Sequence, residues 1–229
     1  MLEAIVLAGG FGTRLKEVVP DLPKPMAPVN GKPFLAYLLD NLAKKGFRKV
    51  ILSVGYMAEK IIDYFGSQYA GIDITYSIEE KPLGTGGAVR LALEHCTQDH
   101  VYIMNGDTYL DFNIEEAEFI WKKNENPIIF AVYVDDAKKY GRIEYKNNLA
   151  KNFIEKGFEG SGVVNAGCYI FHKSQLNDFL LGNPFSLEYD YLVNAIKKES
   201  FNIYLTRGFF IDMGSPEDYK KLSIIFQNS

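Results

Sequence analysis

Ala4-Ile5-Val6-Leu7-Ala8-Gly9-Gly10-Phe11-Gly12-Thr13-Arg14-Leu15 runs a short apolar segment straight into a glycine-rich turn and then into a cation. Ala4 to Leu7 reads as a first strand. Glycines at 9, 10 and 12 let backbone N–H groups come close to a phosphate or a base edge, and the crevice at the carboxyl end of a strand is where open α/β sheets bind ligands. Arg14 adds a charged fork. The dinucleotide fingerprint fails here, because Leu15 stands where its third glycine belongs, and the P-loop fails because no Gly-Lys-Ser/Thr follows. Taken alone, the glycines are equally the mark of a tight strand-to-helix connection.

Outward from this turn, short β-branched runs alternate with amphipathic segments, the signature of a parallel α/β sheet. A helix is expected over Phe34 to Lys45, where Phe34, Leu35, Leu38, Leu39 and Leu42 keep helical spacing and Gly46 supplies a terminating glycine. Strands are expected at Val50 to Val54, Ile72 to Tyr76 and Val101 to Met104, with helices at Met57 to Phe65 and Gly87 to His95. After Pro127 the strand-like runs Ile128 to Val134, Gly141 to Tyr145, Ala150 to Ile154 and Val163 to Phe171 have only short connections, which implies antiparallel additions. Helical patterns return at Ser174 to Leu181 and Leu187 to Lys197. A strand pair near Phe201 to Ile211 then leads to a last helix opened by Ser215-Pro216-Glu217-Asp218, with a capping Ser, a first-turn Pro and two acids. The expected fold class is α/β: a single domain over residues 1–229 with a Rossmann-like mixed, mainly parallel sheet flanked by helices.

Composition narrows the function classes. A chain of 229 residues, 47% hydrophobic and 24% charged, can bury a sizeable core and carries no tract suggestive of disorder or fibre. Its formal charge of -4 supplies no general attraction to nucleic acid or acidic lipid, so any phosphate site must be built locally. Cys96 and Cys168 have no CxxC or Cys/His spacing, which fits a reducing compartment and excludes a structural zinc motif. The N-terminal apolar stretch is too short for a signal-peptide core, and the apolar run Ile128 to Val134 falls far below the roughly 20 residues of a helical membrane span. A soluble, cytoplasmic protein is expected.

Two further segments carry chemistry. Leu22-Pro23-Lys24-Pro25-Met26 sets a lysine between two prolines, and a stiffened backbone suits a lysine that must reach a phosphate, though it also suits a rigid surface loop. Asp107 follows an expected strand and so lies on the same sheet edge as the glycine loop, while Asp212 follows a strand and precedes a helix. Two carboxylates with triphosphate oxygens suit Mg²⁺, a hard cation that keeps substrate phosphates in its shell. Each aspartate alone is as readily a turn residue or an N-cap.

Together, Gly9-Gly10-Phe11-Gly12-Thr13-Arg14-Leu15 and Pro23-Lys24-Pro25 resemble the sugar-1-phosphate nucleotidyltransferase family. The resemblance runs through almost the whole chain. Glu79-Glu80-Lys81-Pro82-Leu83-Gly84-Thr85-Gly86-Gly87 is similar to the family's base-reading segment, Asn105-Gly106-Asp107 to its metal-binding turn and Tyr140-Gly141-Arg142-Ile143 to a sugar-side loop. Glu155-Lys156-Gly157 and Asn165-Ala166-Gly167 resemble the segments that hold the sugar phosphate and its hydroxyls, and Phe210-Ile211-Asp212-Met213-Gly214-Ser215-Pro216 the closing motif with the second metal-binding aspartate. The resemblance implies the nucleotide-diphospho-sugar transferase (GT-A-like) fold, with a nucleotide-binding part over about residues 1–110 and a sugar-binding part over 111–229. It implies catalytic roles for Arg14, Lys24 and Asp107, and Mg²⁺ on Asp107 and Asp212. It implies nucleotide contacts from Leu7, Ala8, Gly9, Gly10, Gly12, Thr13, Glu79, Glu80, Gly84 and Thr85, and sugar-phosphate contacts from Gly141, Glu155, Lys156 and Asn165. The partners are then a nucleoside triphosphate and a sugar 1-phosphate, with neither nucleic acid nor membrane, and with homo-oligomerisation left open.

Guanine presents two adjacent donors, N1–H and N2–H₂, for which a carboxylate is the natural bidentate acceptor, whereas uracil presents one donor between two acceptors. Glu79 stands where uridylyl members of the family often carry Gln, which favours GTP; a solvated acidic turn is the plainer reading of Glu79 and Glu80. The run Val18 to Phe34 looks most like the small bacterial heptose 1-phosphate guanylyltransferases, which supply GDP-heptose for surface polysaccharides. Mannose 1-phosphate guanylyltransferases and uridylyl- or cytidylyltransferases are the alternatives, and a catalytically silent nucleotide-sugar-binding regulator is the alternative of another class. The absence of a six-residue repeat speaks against a β-helical acetyltransferase extension. His95, His100 and His172 read as surface or helix-end residues, and Trp121 as core.

Overall fold

The computed structural model describes residues 1–10, 19–154, 157 and 159–228. Strand β1 (Leu2–Leu7) is followed by a 3-10 turn at Lys24–Met26, a small hairpin of β2 (Pro28–Val29) and β3 (Lys32–Pro33), and helix α1 (Phe34–Lys44). Next come β4 (Phe47–Val54), α2 (Ala58–Phe65), β5 (Gln68–Tyr69), β6 (Ile72–Ile78), α3 (Gly84–Ala92) and β7 (His100–Asn105). The second half holds β8 (Thr108–Leu110), α4 (Ile114–Asn124), β9 (Ile128–Val134), β10 (Arg142–Lys146), β11 (Leu149–Ile154) and β12 (Gly162–His172). A π-helical turn at Leu187–Leu192 runs into α5 (Val193–Ala195), and β13 (Asn202–Thr206), β14 (Phe210–Asp212) and α6 (Pro216–Ile225) follow.

Among the described residues, ten strands form one mixed sheet in the order β10-β11-β13-β9-β12-β7-β1-β4-β6-β5. The first half of the chain supplies a parallel block, β7-β1-β4-β6, and β12 joins it to the second half by pairing antiparallel with both β7 and β9. Helices cover both faces, which is why β1 is apolar at consecutive rather than alternate positions. Ala4 and Val6 face the layer containing α1, while Ile5 faces the layer containing α3. Leu35, Leu39 and Leu42 of α1 are almost wholly excluded from solvent, each contributing about 1.5–3 kcal/mol on the scale of a fully buried aliphatic side chain. Gly46 ends α1 at φ +90°, a conformation that favours glycine.

Several elements depart from the sequence reading. Ser174 to Leu181 is a succession of turns closed by i to i+3 hydrogen bonds, His172 to Gln175, Ser174 to Asn177 and Leu176 to Phe179, at 3.0 Å each. Only Leu176 of that run is fully buried, so no continuous apolar stripe pays the cost of a short helix. The expected strand pair near Phe201 to Ile211 is two strands in two sheets: β13 runs parallel to β9, and β14 pairs antiparallel with β8. Helix α4, unassigned from sequence, is capped by Asn113, whose side chain accepts from the N–H groups of Glu115 and Glu116. His100 and His172 are cross-strand partners on β7 and β12, and both rest on Trp121 with ring centroids 4.9 and 4.8 Å away. His100 Nε2 also lies 3.1 Å from Glu118, so neither histidine is a helix-end residue. Among the described residues, no helix is long and apolar enough to cross a membrane.

The segment preceding the π-helical turn lies against the start of α3, and glycines make this possible. The N–H of Gly86 donates to the Phe185 carbonyl at 2.9 Å, and a Cβ on Gly86 would sit 2.2 Å from the Phe185 ring. That ring is stacked on Phe179 at 4.0 Å, a contact it would have to give up to move aside. Gly86→Ala gains up to about 1 kcal/mol of helix propensity but incurs an overpacking cost of about 1–3 kcal/mol, so a net loss is expected. Calorimetry should show a lower Tm for Gly86→Ala, partly restored by Phe185→Ala; an unchanged or raised Tm would refute the packing argument.

Candidate active site

Because β7, β1, β4 and β6 are parallel, their carboxyl ends emerge along one edge. Strand order reverses at β1, which the chain leaves toward β4 and β6 on one side before returning to β7 on the other, and such a switch point opens a crevice. Leu7 leads to Gly9 and Gly10, Val54 to Gly55 and Tyr56, Ile78 to Glu79 and Glu80, and Asn105 to Gly106 and Asp107. Hydrogen bonds lock these exits together: Gly106 N–H to the Leu7 carbonyl at 2.9 Å, Ala8 N–H to Ser53 at 2.8 Å and Glu79 N–H to Val54 at 2.8 Å. A Cβ on Gly106 would lie 2.6 Å from the Leu7 oxygen, so the Asn-Gly-Asp turn requires its glycine.

The crevice holds two adjoining cavities. The larger, about 530 Å³, is lined by Leu7, Gly9, Gly10, Lys24, Pro25, Gly55, Tyr56, Glu79, Glu80, Lys81, Pro82, Gly84, Thr85, Ala88, Asn105 and Asp107. The smaller, about 250 Å³, is lined by Thr85, Asn105, Asp107, Thr108, Tyr140, Gly141, Phe153, Asn165, Ala166, Gly167, Glu188, Tyr189, Phe210 and Asp212. Thr85, Asn105 and Asp107 belong to both walls.

Asp107 and Asp212 converge although 105 positions separate them in sequence. Strands β8 and β14 pair Thr108 with Asp212, and the Met213 N–H donates to the Asp107 carbonyl at 2.8 Å. Lys24, held in its short turn between prolines and largely buried, forms an ion pair with the Asp107 carboxylate. Tyr140, on the wall beside Asp212, has its hydroxyl pushed up to about 12 by burial and by the charges of Asp212, Asp218 and Asp136, so it remains a neutral donor. Asp107, immediately before β8, and Asp212, on its partner strand β14, both line the smaller cavity, and their carboxylate oxygens are the hard donors that a divalent cation prefers.

Glu79 reaches into the larger cavity beneath Gly9, where a Cβ would lie 2.7 Å from Oε1. Its Oε2 accepts from the Leu83 N–H at 3.0 Å and its Oε1 from the Ser53 hydroxyl at 3.4 Å. Burial raises its carboxyl above the usual range, and those two hydrogen bonds oppose the rise. Glu80 lies on the same wall but is exposed.

The larger cavity thus gathers Leu7, Gly9, Gly10, Lys24, Glu79, Glu80, Gly84, Thr85 and Asp107, and the smaller one gathers Thr85, Asp107, Gly141, Asn165 and Asp212. Ala8 is buried behind the wall, its N–H committed to β4. Gly12, Thr13, Arg14, Glu155 and Lys156 lie outside the described residues. Gly84 and Gly87 are explained by packing as well as by any ligand: a Cβ on Gly84 would lie 2.6 Å from the Phe185 oxygen, and one on Gly87 would lie 2.7 Å from that of Asn183. The sequence reading does not single out Glu188, whose carboxylate reaches Thr85 across 103 positions and has no local motif around it. Asn105 lines both cavities and was legible only as part of its turn.

A family model described as "Nucleotidyl transferase" matches residues 3–227. The chain is 41% identical over 220 residues to the D-glycero-alpha-D-manno-heptose 1-phosphate guanylyltransferase of Campylobacter jejuni subsp. jejuni serotype O:2, covering 95% of this chain and 97% of that protein. It is 41% identical over 221 residues to the protein of the same name from Aneurinibacillus thermoaerophilus, covering 96% of each. Among solved structures, HddC from Yersinia pseudotuberculosis complexed with GMP-PN superposes with a TM-score of 0.86 at 37% identity, covering 99% of this chain and 100% of that one. Strand ends that converge on a two-cavity crevice, and a match over nearly the full length, agree: the chain belongs to the nucleotidyl transferase family and has the activity of a sugar-1-phosphate nucleotidyltransferase.

Proposed function

We propose that this enzyme transfers GMP from GTP to D-glycero-α-D-manno-heptose 1-phosphate, giving the GDP-sugar and pyrophosphate. The reading is carried by the meeting of the two cavities at Asp107, with the larger taken as the nucleotide site and the smaller as the sugar-phosphate site. A phosphate oxygen of the sugar 1-phosphate attacks the α-phosphorus in line, and the bond to the β-phosphate breaks as pyrophosphate leaves. No side-chain nucleophile is required; the protein contributes position and charge.

Three carboxylates, Asp107, Glu188 and Asp212, line the smaller cavity, and Asp107 among them is paired with Lys24. Mg²⁺ held by Asp107 and Asp212 would neutralise charge between the two phosphates. Lys24 brings a second positive charge to the boundary, and releasing it from Asp107 would free its ammonium for the triphosphate. Arg14 is assigned to the departing pyrophosphate and Lys156, with Glu155, to the sugar phosphate. The nucleotide-binding part then covers about residues 1–110 and the sugar-binding part 111–229. Glu79 is assigned to guanine, accepting from N1–H and N2–H₂. A product of this kind would serve surface polysaccharide synthesis.

The test of the whole reading is pyrophosphate release from GTP, UTP, CTP and ATP against heptose, mannose and glucose 1-phosphates with Mg²⁺. The highest kcat/KM is expected for GTP with the heptose 1-phosphate, and a clear preference for another pair would displace the assignment. Asp107→Asn and Asp212→Asn should each lower kcat by roughly a hundredfold or more with the far-UV circular dichroism retained, since each removes a formal charge from the metal shell. Full activity with unchanged Mg²⁺ dependence would remove that aspartate from the site.

Glu79→Gln replaces one acceptor oxygen by a donor, and a hydrogen bond to a charged group is worth about 1.5–3 kcal/mol, so the GTP to UTP ratio of specificity constants should fall about tenfold or more. Glu80→Gln, on the exposed neighbour, should leave the ratio unchanged. Because burial raises the Glu79 carboxyl, protonation removes its acceptor at a higher pH than for an ordinary glutamate, and KM for GTP should rise correspondingly early on acidification. The early rise should vanish in Glu79→Gln. Persistence of both the wild-type ratio and the rise would place base selection in backbone groups.

A further inference from the structure

Among the described residues lining the smaller cavity, Glu188 is the carboxylate not assigned to metal. It stands in the π-helical turn, an irregularity found disproportionately at functional sites. Its Oε2 is committed to the protein, accepting from the Thr85 hydroxyl at 2.8 Å and the Ser186 hydroxyl at 3.3 Å. Thr85 Oγ1 in turn accepts from the Leu187 N–H at 2.9 Å. The other oxygen, Oε1, accepts from the Tyr169 hydroxyl at 3.4 Å. Tyr169 is fully buried, and burial together with the Glu188 charge drives its hydroxyl far above the ordinary range, so it stays a neutral donor. That hydroxyl also receives a hydrogen bond from Asn165 Nδ2 at 2.6 Å, and Asn165 Oδ1 accepts from the Gly167 N–H at 3.0 Å.

The carboxylate is therefore held rigidly on one oxygen by donors from both sides, while the other, with a single long hydrogen bond, retains acceptor capacity on a cavity wall. A carboxylate repels phosphate, so its natural partner in this cavity is a group with hydroxyl donors, and a sugar ring supplies them. We propose that Glu188 is a specificity-determining residue, whose Oε1 accepts a hydrogen bond from a hydroxyl of the sugar 1-phosphate in the smaller cavity. This rests on the reading of that cavity as the sugar site. It gives Thr85 a second task, since a residue on the wall shared by both cavities fixes the orientation of the sugar acceptor.

The experiment is a kinetic cycle with the full-length enzyme, crossing Glu188→Ala and Glu188→Gln with sugar 1-phosphates that each lack one ring or side-chain hydroxyl. The parent sugar is whichever one the wild type turns over best, so an error in the heptose assignment leaves the cycle intact. KM for the parent sugar 1-phosphate should rise about tenfold or more in Glu188→Ala and less in Glu188→Gln, with KM for GTP within about twofold. In wild type, loss of one particular hydroxyl should cost about tenfold in kcat/KM, and in Glu188→Ala the same deletion should cost almost nothing further. Ser186→Ala, which removes a strut from Oε2 but leaves Oε1, should preserve the wild-type pattern of deoxy penalties. The proposal is overturned if every deoxy penalty survives unchanged in Glu188→Ala, or if KM for GTP rises in step with that for the sugar, as loosening of the segment against α3 would produce. Should Glu188→Ala fail to fold, Glu188→Gln carries the same cycle with a smaller expected loss.

Discussion

Everything at the crevice depends on β1 being hydrogen-bonded in parallel to β4 on one side and β7 on the other. That arrangement brings the chain out of three neighbouring strands at one level. The Leu7 carbonyl then has the Gly106 N–H as its partner, and the Ala8 N–H has the Ser53 carbonyl. Shifting either pairing by one residue would exchange the two faces of a strand that is buried on both, so register is strongly enforced. The position of Asp107 is thus inherited from the core.

The second half of the chain completes the site by wrapping back over the first. Strand β14 pairs with β8 and sets Asp212 beside Asp107, while the segment around Phe185 and Glu188 closes on α3. Both contacts need backbone close to backbone. Glycines at 84, 86 and 87 provide that on α3, where a larger residue would meet Phe185 or Asn183. The glycines of the segment that the sequence reading associates with a base thus serve the packing of the chain on itself.

Charge is managed asymmetrically across the crevice. Lys24 lies at the boundary in contact with Asp107, and three carboxylates ring the smaller cavity. Glu3, by contrast, is a buried carboxylate at the opposite end of β1. It is fully satisfied by Thr97, Gln98 and Lys49, and despite its burial those partners hold it below the usual carboxylate range. Glu3 is thus held by partners from its own chain, and so is Asp107, through Lys24.

Local sequence carries the α/β class, the parallel first half, the Gly9-Gly10 exit from β1, and the candidacy of Lys24, Glu79, Asp107 and Asp212. These are local features: apolar periodicity, turn residues and strand-end positions are all set within a few neighbours. Tertiary structure alone decided that β13 and β14 enter different sheets, that Ser174 to Leu181 breaks into turns, and that His100 and His172 share Trp121. It also brought Glu188 to the cavity. Strands of three residues carry too little periodicity to announce a partner, and the contact of Glu188 with Thr85 closes a loop of 103 residues that no local pattern encodes. What pairs with what across such distances is settled by which faces can be buried together, and that is a property of the folded whole.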